Sequence, residues 1–233
     1  MRVPHGRARV TATTVVLLAV TIGRRSPSTV VDVAAVRTVR RTAVDLGLAV
    51  ALLALTVLVH VGAWPIRVDR AVYRVLLPLR TGTVADAAQV VVALARPEAV
   101  GGITIALALG LAVRERSSGA LRVLVPPVLA VAVVVLGGKA LLHRLGPPGT
   151  PALGSFGYYP SGHTATTLVC AGALAQLLAL RRPSTAATGW VLVATWTVLV
   201  ASSMVVRGYH WSTDVVAAVL AGALVLRLLA RLH

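Results

Sequence analysis

Apolar residues run along this chain in long blocks, and the breaks between blocks are short and rich in arginine, glycine or proline. Blocks of about 20 residues are long enough to cross a bilayer as helices. The pattern predicts six spans, over 43–63, 99–113, 121–142, 164–180, 185–206 and 213–229. Trp64 follows the first as an interfacial anchor. Pro126 and Pro127 are expected to bend the third, and Lys139 closes it. Residues 65–98 break the pattern, because Arg67, Asp69, Arg70, Arg74, Arg80, Asp86, Arg96 and Glu98 interrupt short apolar pieces. That spacing predicts two amphipathic helices along the membrane surface, over 67–79 and 83–95, with a solvated connector as the alternative. Residues 143–162 hold five glycines and four prolines and read as a structured loop.

Residues 1–42 carry eight arginines and one acid, Asp32, and their apolar run over 10–22 is too short to span comfortably. They read as a basic, poorly ordered or interfacial arm ahead of a six-span region over 43–231. Composition agrees with an all-α polytopic membrane bundle: 57% of residues are hydrophobic, 13% are charged and mean hydropathy is +0.85. The net charge of +16 does not point to nucleic acid, since aromatics are few and the arginines sit between the apolar blocks, where orientation signals belong. Counting basic residues puts the 1–42 arm, the 114–122 and 181–184 loops and the C-terminus on the cytoplasmic side. Residues 64–98, 143–162 and 207–212 then face outward, although 64–98 is basic too. The lone cysteine, Cys170, allows no internal disulfide and reads as packing, as His60 reads as a packed or interfacial histidine.

This topology sends Lys139, His163, His210 and Asp214 to one outer face. In Tyr159-Pro160-Ser161-Gly162-His163, Pro160 ends the preceding segment, Ser161 can cap the following helix and Gly162 lets the backbone approach a ligand. The free N–H groups of that helix start form an anion site. Asp214 is the last carboxylate of the chain and lies four residues after His210. Placed on one helix face, it would hold one imidazole nitrogen and leave the other free to attack. Two histidines around an anion site, with Lys139, Arg144 and Arg207 nearby, suit in-line displacement at phosphorus, one attacking and the other protonating the leaving oxygen. No close pair of metal-ligand type is present, and no metal or cofactor is expected.

Together these residues resemble the type 2 phosphatidic acid phosphatase superfamily of membrane lipid phosphatases. That family combines Lys, six residues and Arg-Pro; then Pro-Ser-Gly-His; then Ser-Arg, five residues, His, three residues and Asp. Here Pro160–His163 is intact, Ser203, His210 and Asp214 keep the third spacing, and Lys139 and Pro147 keep the first. The two arginine positions are Gly146 and Met204, with Arg144 and Arg207 close in sequence as substitutes. The resemblance implies a six-span bundle in which His210 is the nucleophile, Asp214 orients it and His163 is the general acid. It implies that Lys139, Ser161 and Gly162 bind phosphate, with Arg144 and Arg207 in support. The implied substrate is a lipid phosphate or polyprenyl diphosphate drawn from among the membrane lipids, in a multi-pass protein of the cell membrane. Two alternatives share these residues: a lipid phosphotransferase, and a catalytically impaired protein that only binds lipid phosphates.

Overall fold

The computed structural model describes residues 28–151 and 156–232, with side chains from residue 35 onward. All regular elements among the described residues are helical: α1 (Ser28–His60), α2 (Pro65–Leu76), α3 (Thr83–Leu94), α4 (Pro97–Glu115), α5 (Gly119–Leu142), α6 (Gly162–Arg181), α7 (Ala186–Val206) and α8 (Ser212–Leu229). Six stretches are long and apolar enough to cross a membrane: Ala35–His60, Pro97–Glu115, Gly119–Leu142, Gly162–Arg181, Pro183–Val206 and Ser212–Leu232. The chain is a multi-pass membrane protein.

The helix boundaries have local causes. Gly62, at φ +72°, ends the run of α1, and Pro65 opens α2 at its first turn, where its missing N–H costs nothing. Gly82, at φ +74°, separates α3 from the short 3-10 turn Leu77–Arg80. Pro97 opens α4. Ser161 caps α6, its Oγ accepting the Thr164 N–H at 3.5 Å.

The start of the first span is corrected. The first long helix begins at Ser28 and ends at His60, so residues 28–42 are helical and the span lies earlier than 43–63. The apolar run over 10–22 lies outside the described residues. α5 is one helix with Pro126 and Pro127 inside it, where a bend was expected. The two short helices are present, but Pro65–Arg80 and Thr83–Leu94 turn by 108° at Gly82.

Contacts divide the chain into two units, Met1–Ala43 and Val44–His233. Within the second, α6 is the central helix. It packs against α4, α5, α7 and α8, and 56% of its apolar window is buried, against 11% for α1. Small residues let its neighbours come close. A Cβ on Gly172 would run into Leu226 of α8, and one on Gly222 of α8 would stand 2.9 Å from Leu168 of α6. Each leucine fills the notch left by the other helix's glycine. The core around this seam holds Val131, Val135, Ala165, Val169, Ala173, Ala218 and Leu226. The apolar side chains left exposed, such as Leu46, Leu53, Ile103, Val133 and Leu192, form the lipid-facing surface of a multi-pass protein.

Candidate active site

The C-terminal end of α5 and the N-terminal ends of α6 and α8 meet at one end of the bundle. The Ser161 N–H donates to the Asp214 carbonyl at 3.0 Å, which ties the start of α6 to the start of α8. Ser161 is fully buried, and its hydroxyl lies 3.2 Å from that of Thr164. Its donor and its hydroxyl are therefore engaged within the protein. The free donors of this helix start belong to Gly162 and His163, whose amides have no intrahelical acceptor.

His210 and Asp214 form the expected pair, with Nδ1 and Oδ2 3.1 Å apart. The reason differs from the expected one. His210 lies in the turn before α8, and Asp214 sits in the first turn of the helix. Oδ2 also accepts the Trp211 N–H at 3.0 Å, so the carboxylate caps its own helix and holds the imidazole with the same oxygen. Asp214 is fully buried and His210 nearly so.

Arg144, expected as a phosphate contact, is brought to this pair and donates to carboxylates. Its Nη1 donates to Asp214 Oδ1 and, at 2.8 Å, to Thr213 Oγ1. Its Nη2 donates to Asp69 Oδ2 at 2.5 Å. The fork is shared between two buried carboxylates.

Asp69, on α2, was missed in the sequence. It accepts from Ser212 Oγ at 2.6 Å, Thr213 N at 2.9 Å and Thr213 Oγ1 at 2.6 Å, as well as from Arg144. It thus places negative charge on the N-terminal turn of α8 from another segment, where the helix dipole favours it. The signal available was its spacing: Pro65, Asp69 and Tyr73 share a face of α2, and Pro65 and Asp69 are buried on it.

Lys139 reaches the same end. Its Nζ donates to the Gly157 carbonyl at 3.1 Å and lies 5.8 Å from the Tyr158 ring centroid. Tyr158 packs edge-on against His210 at 5.6 Å. His163 is half-buried in the first turn of α6. Tyr159, held by Thr56 at 2.7 Å, stays a neutral phenol because burial raises it above its ordinary range.

The two departures from the motif pattern have visible neighbours. A Cβ on Gly146 would run into the Thr150 hydroxyl and meet the Tyr158 ring at 2.9 Å, so these two side chains occupy the space a side chain there would need. Met204 is buried in an apolar cluster with Val92, Ala95, Val200 and Val215. Arg207 is half-buried beyond it, its Nη2 3.4 Å from the Tyr209 hydroxyl. No hydrogen bond joins it to His210 among the described residues. A cleft of about 510 Å³ opens beside the carboxylates, walled by Arg70, Leu145, Pro148 and Trp211.

The lipid A 1-phosphatase of Porphyromonas gingivalis is 35% identical over 121 residues, covering 50% of this chain and 25% of that protein. The matched region is thus a quarter of that relative's length. The crystal structure of a transmembrane PAP2-type phosphatidylglycerolphosphate phosphatase from Bacillus subtilis superposes with a TM-score of 0.71 at 19% identity, covering 81% of this chain and 94% of that one. Residues 105–233, more than half of the chain and including both histidines and Asp214, match the sequence model of the PAP2 superfamily, and the chain belongs to that superfamily.

Proposed function

We propose that this protein is a membrane lipid phosphatase that works through a phosphohistidine on His210. The observation that carries the reading is the junction of α6 and α8. The His210–Asp214 pair, 3.1 Å apart, is tied through the Asp214 carbonyl to the helix start that offers the Gly162 and His163 amides. A phosphate held at that helix start meets the positive end of a dipole and a nucleophile at once.

Asp214 holds Nδ1–H, so Nε2 carries the lone pair. Nε2 attacks phosphorus, the P–O bond to the lipid breaks, and His163 gives its proton to the leaving lipid oxygen. His163 then takes a proton from water, which attacks the phosphohistidine. Inorganic phosphate leaves and both histidines return to their starting states. Lys139 and the helix-start amides neutralise charge on the equatorial oxygens, Ser161 holds that helix start in place, and Arg207 lies beyond them. Arg144 supports the reaction by fixing Asp214. None of these steps draws on a metal.

The substrate class is a lipid phosphate monoester or diphosphate. The relatives named for lipid A and phosphatidylglycerolphosphate support that class. The arginine-rich loops near Arg116 and Arg181 lie at the opposite end from the site, which supports an extracytoplasmic active site in a cell membrane.

The test is phosphate release by purified protein in detergent with chelator present. The panel holds phosphatidic acid, phosphatidylglycerol phosphate and a polyprenyl diphosphate, with His210→Ala as control. Release that survives chelator and vanishes in the variant is the expected result. Phosphate transfer to an added lipid alcohol instead of water would favour the phosphotransferase alternative. Binding of the lipids without release would favour the binding protein.

A further inference from the structure

Charge in the site is unevenly committed. Arg144 is matched by Asp69 and Asp214, and Lys139 donates to a carbonyl. Two other guanidiniums stand at the turn that carries His210 and have no carboxylate in ion-pair range among the described residues: Arg80 and Arg207.

Arg80 comes from the 3-10 turn after α2 and lies outside every sequence motif. It is half-buried, its Nε is enclosed without a partner, and it makes no hydrogen bond among the described residues. A buried Nε without an acceptor is uncommon, and the two terminal nitrogens, which are not enclosed, are left to meet a ligand. Its position is nevertheless fixed. Its Cζ lies 3.8 Å from the Tyr73 ring centroid, and Tyr73 stacks at 5.8 Å on Trp211, the residue after His210. On its other side it presses on Gly208, where a Cβ would stand 2.5 Å from Cζ and 2.6 and 2.7 Å from the two terminal nitrogens. Gly208 also needs its φ of +67°, so glycine serves both the turn and the arginine.

Arg207 flanks the same glycine. Its Nε is also enclosed without a partner, and among the described residues its side chain makes one hydrogen bond, the 3.4 Å contact to Tyr209, whose hydroxyl donates to Gln89 at 2.6 Å. The C-terminal dipole of α7 accounts for one cation here. It does not account for a second one brought from another segment.

We infer that Arg80 and Arg207 form an anion clamp at the Gly208 turn that takes phosphate oxygens of the lipid substrate beside His210. The inference rests on the phosphatase reading and deepens it, because Arg80 supplies from the α2 segment the planar donor fork that position 204 lacks. Phosphate is the fitting ligand: it is anionic, and its oxygens match two guanidinium forks.

The test compares Arg80→Ala, Arg80→Lys and Arg207→Ala with the wild type in detergent. The readouts are inhibition by inorganic phosphate and by orthovanadate, KM for a lipid monoester and a lipid diphosphate, and the thermal midpoint. Arg80→Ala is expected to weaken inorganic phosphate inhibition and raise KM by about tenfold or more, with kcat changed less and the midpoint nearly unchanged. Arg80→Lys should restore part of the affinity. A larger KM effect on the diphosphate than on the monoester would place the clamp on the second phosphate. Unchanged phosphate inhibition in Arg80→Ala would overturn the clamp. So would a loss confined to binding of phosphatidylglycerol vesicles, which would make Arg80 a contact for bilayer headgroups. Inorganic phosphate binding followed by ³¹P NMR needs no turnover. Arg80-dependent binding in a wild type that releases nothing from lipids would keep the clamp and remove the phosphatase reading.

Discussion

Asp214 faces His210, accepts from Trp211 and Arg144, and is fully buried. In the proposed mechanism it accepts from Nδ1 and leaves Nε2 to attack. Asp214→Asn should therefore lower kcat by about a thousandfold or more while the chain still folds, by analogy with the orienting carboxylate of a catalytic triad. Steady-state phosphate release against a circular dichroism spectrum checks this; retained kcat would remove Asp214 from the mechanism. Asp69 acts one step further out. Asp69→Asn keeps the volume but leaves half of the Arg144 fork without its anion. It should lower kcat by roughly tenfold with little change in KM, and Asp69→Glu should recover part of it. A fall in thermal midpoint with unchanged kcat would confine Asp69 to folding. The spacing of His210 and Asp214 was legible because a histidine and an acid four residues apart meet in a first helical turn as well as along a helix. The spacing of Asp69 with Pro65 and Tyr73 hinted at a buried face, but its partners were not legible, since they lie 75 and more residues away.

Helices follow the apolar blocks closely, because block length and proline and glycine punctuation are local properties. Pro97, Ser161 and Gly82 each mark a boundary that the backbone respects. The start of α1 was misplaced because Arg37, Arg40 and Arg41 interrupt apolarity without interrupting helix propensity. What local reading cannot supply is which faces meet. The α6–α8 seam depends on Gly172 receiving Leu226 and Gly222 receiving Leu168. Gly222→Val should overpack that seam and cost about 1–3 kcal/mol. Unfolding in a graded denaturing-detergent titration measures it. Adding Leu168→Ala should return part of the loss, because the two changes share one notch. Strict additivity of the two would mean that the seam does not pack as described.

At the scale of the molecule the two ends of the bundle are chemically different. Beside the α8 C-terminus, Asp45 of α1 accepts from Arg227 Nε at 2.5 Å and from Arg231. Arg181 pairs with Glu115 at 2.7 Å between the ends of α6 and α4. The His210–Asp214 pair lies at the other end. The positive-inside count was ambiguous because the 64–98 segment is basic too. The structure gives part of that charge local work, since Arg80 is fixed against Tyr73 and Gly208 at the site end. Such an arginine is a poor orientation signal, whereas the loop around Arg114, Arg116 and Arg122 remains a good one. Orientation can be read directly because the lone cysteine, Cys170, is buried and gives a low background. Ser117→Cys sits in the loop between α4 and α5, and Leu145→Cys sits at the site end, where the leucine is 81% exposed. An impermeant maleimide added to intact cells should label Leu145→Cys and spare Ser117→Cys until the cells are lysed. The reverse pattern would turn the site toward the cytoplasm, where a lipid phosphate would have to be met from the inner leaflet.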